Sequence, residues 1–390
     1  MKKYICFLVQ EYYPKDPRVR KYVDLLLSNG YRVDVISLKK NGFKSYENSD
    51  NLEIYRIGIP KKRSSLLRYF IEYAYFFISS LYLISVLYLK KRYSIIHVNN
   101  LPDFLVFSTI IPKLLGSKII LDMHEVAPEF FQMKYNKNED FLLIKLLKVI
   151  EKYSLQYCDF AITINKAITK LLTKRSISNR KIDIIMNVPD KRINKIMDFN
   201  KYDKHFNIVY HGTISDLYSL QNSILSISLL KEEIPLIRFH IYGEGPSENK
   251  LKKLVEEREL SDNVHFHGYI DNRYICDELK KMNVGMLPLE RNVFIDLSFS
   301  NKLTEYIAQG LPVIISEIPS IMDYFSSNSL FYCKTNPEEI KKQILRIYHN
   351  NDLVKDKIRN SQKEYKKIDW NIMSKKYLSI ISKLGNNTCN

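Results

Sequence analysis

The residues Ser300-Asn301-Lys302-Leu303-Thr304-Glu305 set a cation and a carboxylate three positions apart at the start of an amphipathic run. Ser300 and Asn301 are helix-capping types. A helix over 301–309 places Lys302 in its first turn, beside backbone N–H groups that lack an intrahelical partner. A cation is unfavourable at that end of a helix unless an anion sits there too. Lys302 and those N–H groups would therefore make a diphosphate site. Glu305 falls on the same helix face, where its carboxylate could accept from both hydroxyls of a ribose. The plainer alternative is an exposed Lys–Glu pair. Gly310 suits the left-handed residue that ends such a helix.

Other reactive types fall just after short apolar runs. His211-Gly212-Thr213 joins a strand to a helix, where Gly212 lets backbone approach a ligand. Gly243-Glu244-Gly245-Pro246 is a second glycine turn, which a tight strand–helix connection explains equally well. His124 stands between Asp122 and Glu125, poised for hydrogen bonding or proton transfer. Asn100 and Asp103 could bind sugar hydroxyls, or either could cap a helix. Arg18 starts a helix and could face an anionic group, with Asp16 as the cap and Pro17 in the first helical position.

The elements that must hold these residues read as alternating strands and helices. Strands are expected at 4–9, 32–37, 52–57, 94–98, 118–122, 160–164 and 182–186 in the first half. In the second half they are expected at 207–211, 238–242, 264–267, 284–287 and 313–316. Most are rich in Ile and Val, as parallel strands buried on both faces are. Helices fit at 19–28, 219–231, 248–258, 273–281, 301–309 and 370–384. The alternation implies an α/β chain with parallel sheets and right-handed crossovers. The expected organisation is a Rossmann-like domain over 1–195, a second over 206–365, and a C-terminal helix within 366–390 that packs back on the first. The polar stretch 190–205 is the linker. Ligands of open parallel sheets bind at the carboxyl ends of the strands, so two such domains facing each other would form a central cleft.

Composition narrows the function classes. Residues 1–200 hold 34 Lys and Arg against 19 Asp and Glu, and the remainder hold 26 against 24, so the net +17 lies almost wholly in the first half. Such a surface attracts phospholipid or a diphosphate-linked acceptor. Nucleic acid would be attracted too, but no RNA- or DNA-binding motif is present, and no nucleic-acid partner is expected. The five cysteines Cys6, Cys158, Cys276, Cys333 and Cys389 lack metal-ligand spacing or a disulfide framework, which fits a reducing cytoplasm. The apolar run in residues 1–10 is too short for a signal peptide and reads as a buried strand. The aromatic segment 69–89, flanked by basic residues, approaches the length of a membrane span. Because it lies between two strands of one sheet, it is expected to pack on that sheet with one face toward a membrane.

In order and spacing, these motifs resemble glycosyltransferase family 4, whose members have the GT-B fold, use nucleotide sugars and retain anomeric configuration. The resemblance rests on Asp16–Val19, Gly30–Ile36, Asp122–Glu125, His211–Thr213, Gly243–Pro246, Phe266–Gly268 and, most specifically, Asn301–Ile314. It implies that His124 contacts the donor sugar near the reaction centre. His211, Gly212, Thr213 and Gly243 would lie against the donor, with Ser300 and Asn301 offering backbone N–H groups to phosphate. Lys302 would bind the diphosphate and assist its departure, and Glu305 would hold the ribose. Arg18, Asn100 and Asp103 are the candidates on the acceptor side. No metal, cofactor or carboxylate nucleophile is expected, the nucleotide sugar being a substrate.

The sequence departs from the family pattern in three places. Tyr12-Tyr13-Pro14-Lys15 replaces a glycine-rich loop, Leu217-Tyr218-Ser219 stands where relatives carry a basic residue, and Leu297 stands where many carry a glutamate. Arg291 is a candidate substitute cation. The implied function is transfer to a glycan or lipid-linked acceptor in bacterial cell-surface polysaccharide synthesis. The implied location is cytoplasmic, with peripheral attachment to the anionic inner face of the cell membrane. The alternative is a non-catalytic relative that binds a partner or lipid.

Overall fold

The computed structural model describes residues 4–59, 66–189 and 205–386. The chain forms two compact units, one of Met1–Asn187 with Met373–Asn390 and one of Val188–Ile372. Most of the expected linker, the basic residues at 61–63 and Cys389 lie outside the described residues.

The first unit runs β1 (Tyr4–Tyr12), α1 (Pro17–Ser28), β2 (Arg32–Leu38), β3 (Tyr46–Ser49), β4 (Leu52–Ile57), α2 (Leu66–Lys91), β5 (Ile95–Asn99), α3 (Ile110–Leu114) and β6 (Lys118–Met123). It continues with α4 (Ala127–Tyr135), α5 (Leu142–Tyr157), β7 (Phe160–Thr163), α6 (Lys166–Arg175) and β8 (Ile182–Ile184). A 3-10 segment, Asp103–Thr109, precedes α3. The sheet order is β3-β4-β2-β1-β5-β6-β7-β8. Among the described strands only β3 pairs antiparallel, as a polar edge on β4. The strand order reverses between β1 and β5, which marks where ligands bind in such sheets. Asp16 accepts from the amides of Arg18 and Val19 and starts α1 with Pro17 behind it, as its residue types dictate.

Helix α2 has the length and apolarity of a membrane span. It joins β4 to β5, and both belong to one sheet, so its two ends stay on one side of any bilayer. Glu72, Phe76, Ser80, Ile84 and Tyr88 recur every fourth residue and are buried against the sheet. The opposite face is exposed.

The second unit runs β9 (Phe206–His211), α7 (Leu220–Ser228), β10 (Ile237–Tyr242), α8 (Glu248–Glu257), β11 (Val264–Gly268), α9 (Asn272–Leu279), β12 (Val284–Leu287) and α10 (Asn301–Gln309). Then follow β13 (Val313–Ser316), α11 (Pro319–Met322), β14 (Phe331–Cys333), α12 (Pro337–His349) and α13 (Asn351–Tyr365). The described strands form one parallel sheet in the order β11-β10-β9-β12-β13-β14, with its reversal between β9 and β12. Gly310 ends α10 at φ +79, a left-handed stop.

The last helix, α14 (Trp370–Asn386), contributes most of its length to the first unit. Tyr377 stacks on Tyr22 at 4.2 Å, and its hydroxyl lies 2.9 Å from His97 Nδ1. Lys376 pairs with Asp183 at 2.5 Å.

Candidate functional site

In the second unit, the reversal point brings the loop after β9 against the first turn of α10. Gly212 has φ +119, and a Cβ there would lie 2.2 Å from Lys302 Cε and 2.9 Å from its Nζ. The missing side chain is thus the space that Lys302 occupies. Lys302 Nζ stands 3.9 Å from the centre of the Tyr218 ring and 5.5 Å from that of Tyr210. Ser300 occupies the N-cap of α10, yet its side chain makes no capping bond, and the first turn carries no acidic residue. A positively polarised helix end and an ammonium group therefore lie side by side with no carboxylate in that turn to offset them, as an anion site requires. Asn301 begins the same turn.

Supporting contacts fix this corner. Gly243 has φ +148, and a Cβ there would meet the Gly212 carbonyl oxygen at 1.8 Å. The Gly212 amide donates to Tyr242 O at 2.8 Å, and Gly243 to Gly268 O at 2.7 Å. Gly243 therefore serves close packing between two loops. Thr213 is exposed at the loop edge, and its carbonyl accepts from the Tyr210 hydroxyl at 2.6 Å. Gly285 leaves room for the Tyr306 ring, whose hydroxyl accepts from the His211 amide at 3.2 Å. His211 Nε2 lies 3.2 Å from Glu305 Oε2. Burial, reinforced by the nearby Lys302 ammonium, pushes the His211 imidazole down to about 3, so it is neutral beside the cation.

In the first unit, a cavity of about 160 Å³ opens at the carboxyl ends of β1, β5 and β6, lined by Gln10, Glu11, Tyr73, Asn100, His124 and Lys134 among others. His124 follows β6, with Nδ1 buried and unpartnered. Asn100 Oδ1 accepts from the His124 amide at 3.1 Å, and Asn100 Nδ2 donates to Asp103 Oδ1 at 3.0 Å and to the Glu125 carbonyl. Asn100 is thus a brace for the His124 loop, neither a helix cap nor a free sugar ligand. Asp103 is buried under it, and burial with the neighbouring Glu151 charge pushes its carboxyl up to about 7. Pro102, not either of these residues, stands before the 3-10 segment.

Arg18 requires a correction. It is buried, with Nε and Nη2 on the two Asp122 oxygens at 2.7 and 2.8 Å and Nη1 on the Ile185 carbonyl at 2.9 Å. Asp122 is held below the usual carboxylate range by that guanidinium and by His97, against the effect of burial. Arg18 is a clamp between strand ends, with its donors spent inside the fold. Arg291 likewise pairs with Asp296 through two 2.9 Å bonds on the surface.

Residues 191–366 match the family model described as glycosyl transferases group 1. The chain carries a glycosyltransferase group 1 domain. Over 361 residues it is 21% identical to the chitobiosyldiphosphodolichol beta-mannosyltransferase of Debaryomyces hansenii, covering 82% of this chain and 75% of that protein. It is 26% identical over 263 residues to the O-antigen biosynthesis glycosyltransferase WclY of Escherichia coli, covering 64% and 68%. The structure of sucrose-phosphate synthase from Thermosynechococcus elongatus superposes with a TM-score of 0.76 at 16% identity, over 98% of this chain and 99% of that one. The fold is of GT-B type, α/β with two domains built on largely parallel sheets.

The glycosyltransferase domain contains His211, Gly212, Thr213, Gly243, Ser300, Asn301, Lys302 and Glu305. The structure gathers His211, Gly212, Lys302 and Glu305 into one corner, with Gly243 packed behind. His124, Asn100, Asp103 and Arg18 lie outside it. Three residues with no individual signal in the sequence join the picture. Tyr218 forms the shelf under Lys302. Gln10 Oε1 and both amide atoms of Asn99 are buried without a partner near the first unit's strand ends. Buried polar atoms are nearly always paired, so such orphans mark places where a ligand or water completes the bonding.

Proposed function

We propose that the protein transfers a glycosyl group from a nucleoside-diphosphate sugar to a glycan or lipid-linked acceptor during bacterial cell-surface polysaccharide assembly. The observation that carries this reading is the seating of Lys302 over Gly212 at the reversal point of a sheet inside a glycosyltransferase group 1 domain. The diphosphate binds the ammonium and the amides of the first turn of α10, and Glu305 takes the ribose hydroxyls. The bond from the anomeric carbon to the diphosphate oxygen breaks as the acceptor hydroxyl bonds to that carbon and releases its proton. Lys302 and the helix end stabilise the charge that grows on the leaving oxygen. His124, Gln10 and Asn99 supply hydrogen bonds to sugar hydroxyls. We further propose retention of configuration and no resident metal, on the strength of the motif resemblance. The first is checked by the anomeric proton coupling of the product and the second by activity in EDTA. Relatives that act on a dolichol-linked acceptor and in O-antigen synthesis support the acceptor class. The buried thiols Cys6, Cys158 and Cys333, which form no disulfide, suit a cytoplasmic location.

Lys302→Ala is the direct test. It is expected to lower turnover by roughly 100- to 1,000-fold, the scale seen when one preorganised donor to transition-state charge is removed, while the thermal midpoint stays put. A thermal-shift screen against UDP, GDP, ADP and their sugars should show stabilisation of the wild type by one of them. Wild-type turnover in the variant would refute the phosphate role. Absence of both transfer and donor hydrolysis in the wild type would favour the non-catalytic reading raised by Leu217 and Tyr218.

A further inference from the structure

Helices α2, α3 and α5 share one face of the first sheet, since the Asp103–Thr109 segment packs against both α2 and α5 and leads directly into α3. Their outward sides are apolar. On α5, Leu142, Leu146, Val149 and Tyr153 are exposed at helical spacing, Leu142 at 80%. On α2, Ile71, Tyr75, Ile78 and Tyr82 repeat the same spacing, with Tyr82 at 73%. Leu114 on α3 is 80% exposed. Exposed apolar stripes at this density mark interaction surfaces.

Charge identifies the occupant. The only carboxylates on α2 and α5 are Glu72 and Glu151, and both are buried and paired inward, with Arg68 and Arg175. Lys145 and Lys152 are exposed along the outer side of α5, and Lys90 at the end of α2. The nearest exposed acids, Glu139 and Asp140, sit in the loop before α5 and pair with Lys148 and Lys145. A face that combines aliphatic and aromatic stripes with lysine suits an anionic lipid surface. A second copy of this half, with 34 cations against 19 anions in residues 1–200, would meet like charge.

We propose that the outer face of α2, α3 and α5 docks on an anionic bilayer, with the apolar stripes in the headgroup boundary and the lysines on lipid phosphates. The inference does not rest on the transfer reading, because vesicle binding is measured without donor or acceptor.

The test is co-sedimentation of the full chain with vesicles of phosphatidylglycerol and phosphatidylcholine, against phosphatidylcholine alone. The wild type should partition onto the anionic vesicles roughly tenfold or more in excess, and less at high salt. Lys145→Glu with Lys152→Glu should lower that partition roughly tenfold or more, as should Leu142→Ser with Leu146→Ser. Tyr82→Ser with Leu114→Ser serves as an independent apolar pair should the α5 pair fail to fold, with circular dichroism as the check. Equal binding to both vesicle types, or wild-type partition in folded variants, would overturn the proposal. So would a dimer in sedimentation equilibrium that the leucine substitutions dissociate, since it would assign the face to a second copy.

Discussion

Lys302 owes its place to an aromatic neighbour. Its ammonium group stands 3.9 Å from the centre of the Tyr218 ring. A cation–π contact contributes about 0.5–2 kcal/mol depending on desolvation. Tyr218→Ala should therefore raise the donor KM by about 2- to 30-fold with little change in kcat, and Tyr218→Phe, which keeps the ring, should restore it. His211 beside it gives a pH signature. Its folded-state value of about 3 lies below the ordinary histidine value, so the unfolded chain binds the proton first. Its stability contribution is complete above about pH 6.5 and is lost as pH falls toward 3. Urea melts at pH 4 and 7 should converge in a His211→Gln variant relative to wild type. Asp103 has the opposite sign. Its value of about 7 exceeds that of an unfolded aspartate, so stability declines as pH rises from about 4 to 7, and Asp103→Asn should flatten that decline.

The elements that hold these residues depend on backbone contacts between loops. Gly243→Ala would drive a methyl into the Gly212 carbonyl at an unfavourable φ. It should cost about 3 kcal/mol or more, read from the denaturation midpoint, and displace the Gly212 loop from Lys302. The strands and α10 were legible because Ile–Val runs, capping types and Gly310 act locally. β3 was not, since Tyr46-Glu47-Asn48-Ser49 is a polar edge strand paired with β4. β14 is three residues long, below the length at which periodicity speaks. Arg18 misled for another reason. Its partners, Asp122 and the Ile185 carbonyl, are remote in sequence, and nothing near residue 18 announces them. Asn100 offers the same lesson: its residue type suggested a ligand or a cap, while its amide is spent tying two strand-end loops together.

At the scale of the whole molecule, the first unit is assembled from two separated stretches of chain. Residues 1–187 supply its sheet, and Tyr377 from α14 covers Tyr22 and His97. Tyr377→Ala removes a fully buried aromatic ring and a hydrogen bond, and should cost about 3–5 kcal/mol in chemical denaturation. The order of synthesis acquires a meaning here. Translation delivers all of residues 188–372 before Tyr377 emerges, so a nascent chain carries a completed glycosyltransferase domain while the earlier half still waits for its lid. Domains usually mature from the amino end; in this protein the half made first is the one finished last.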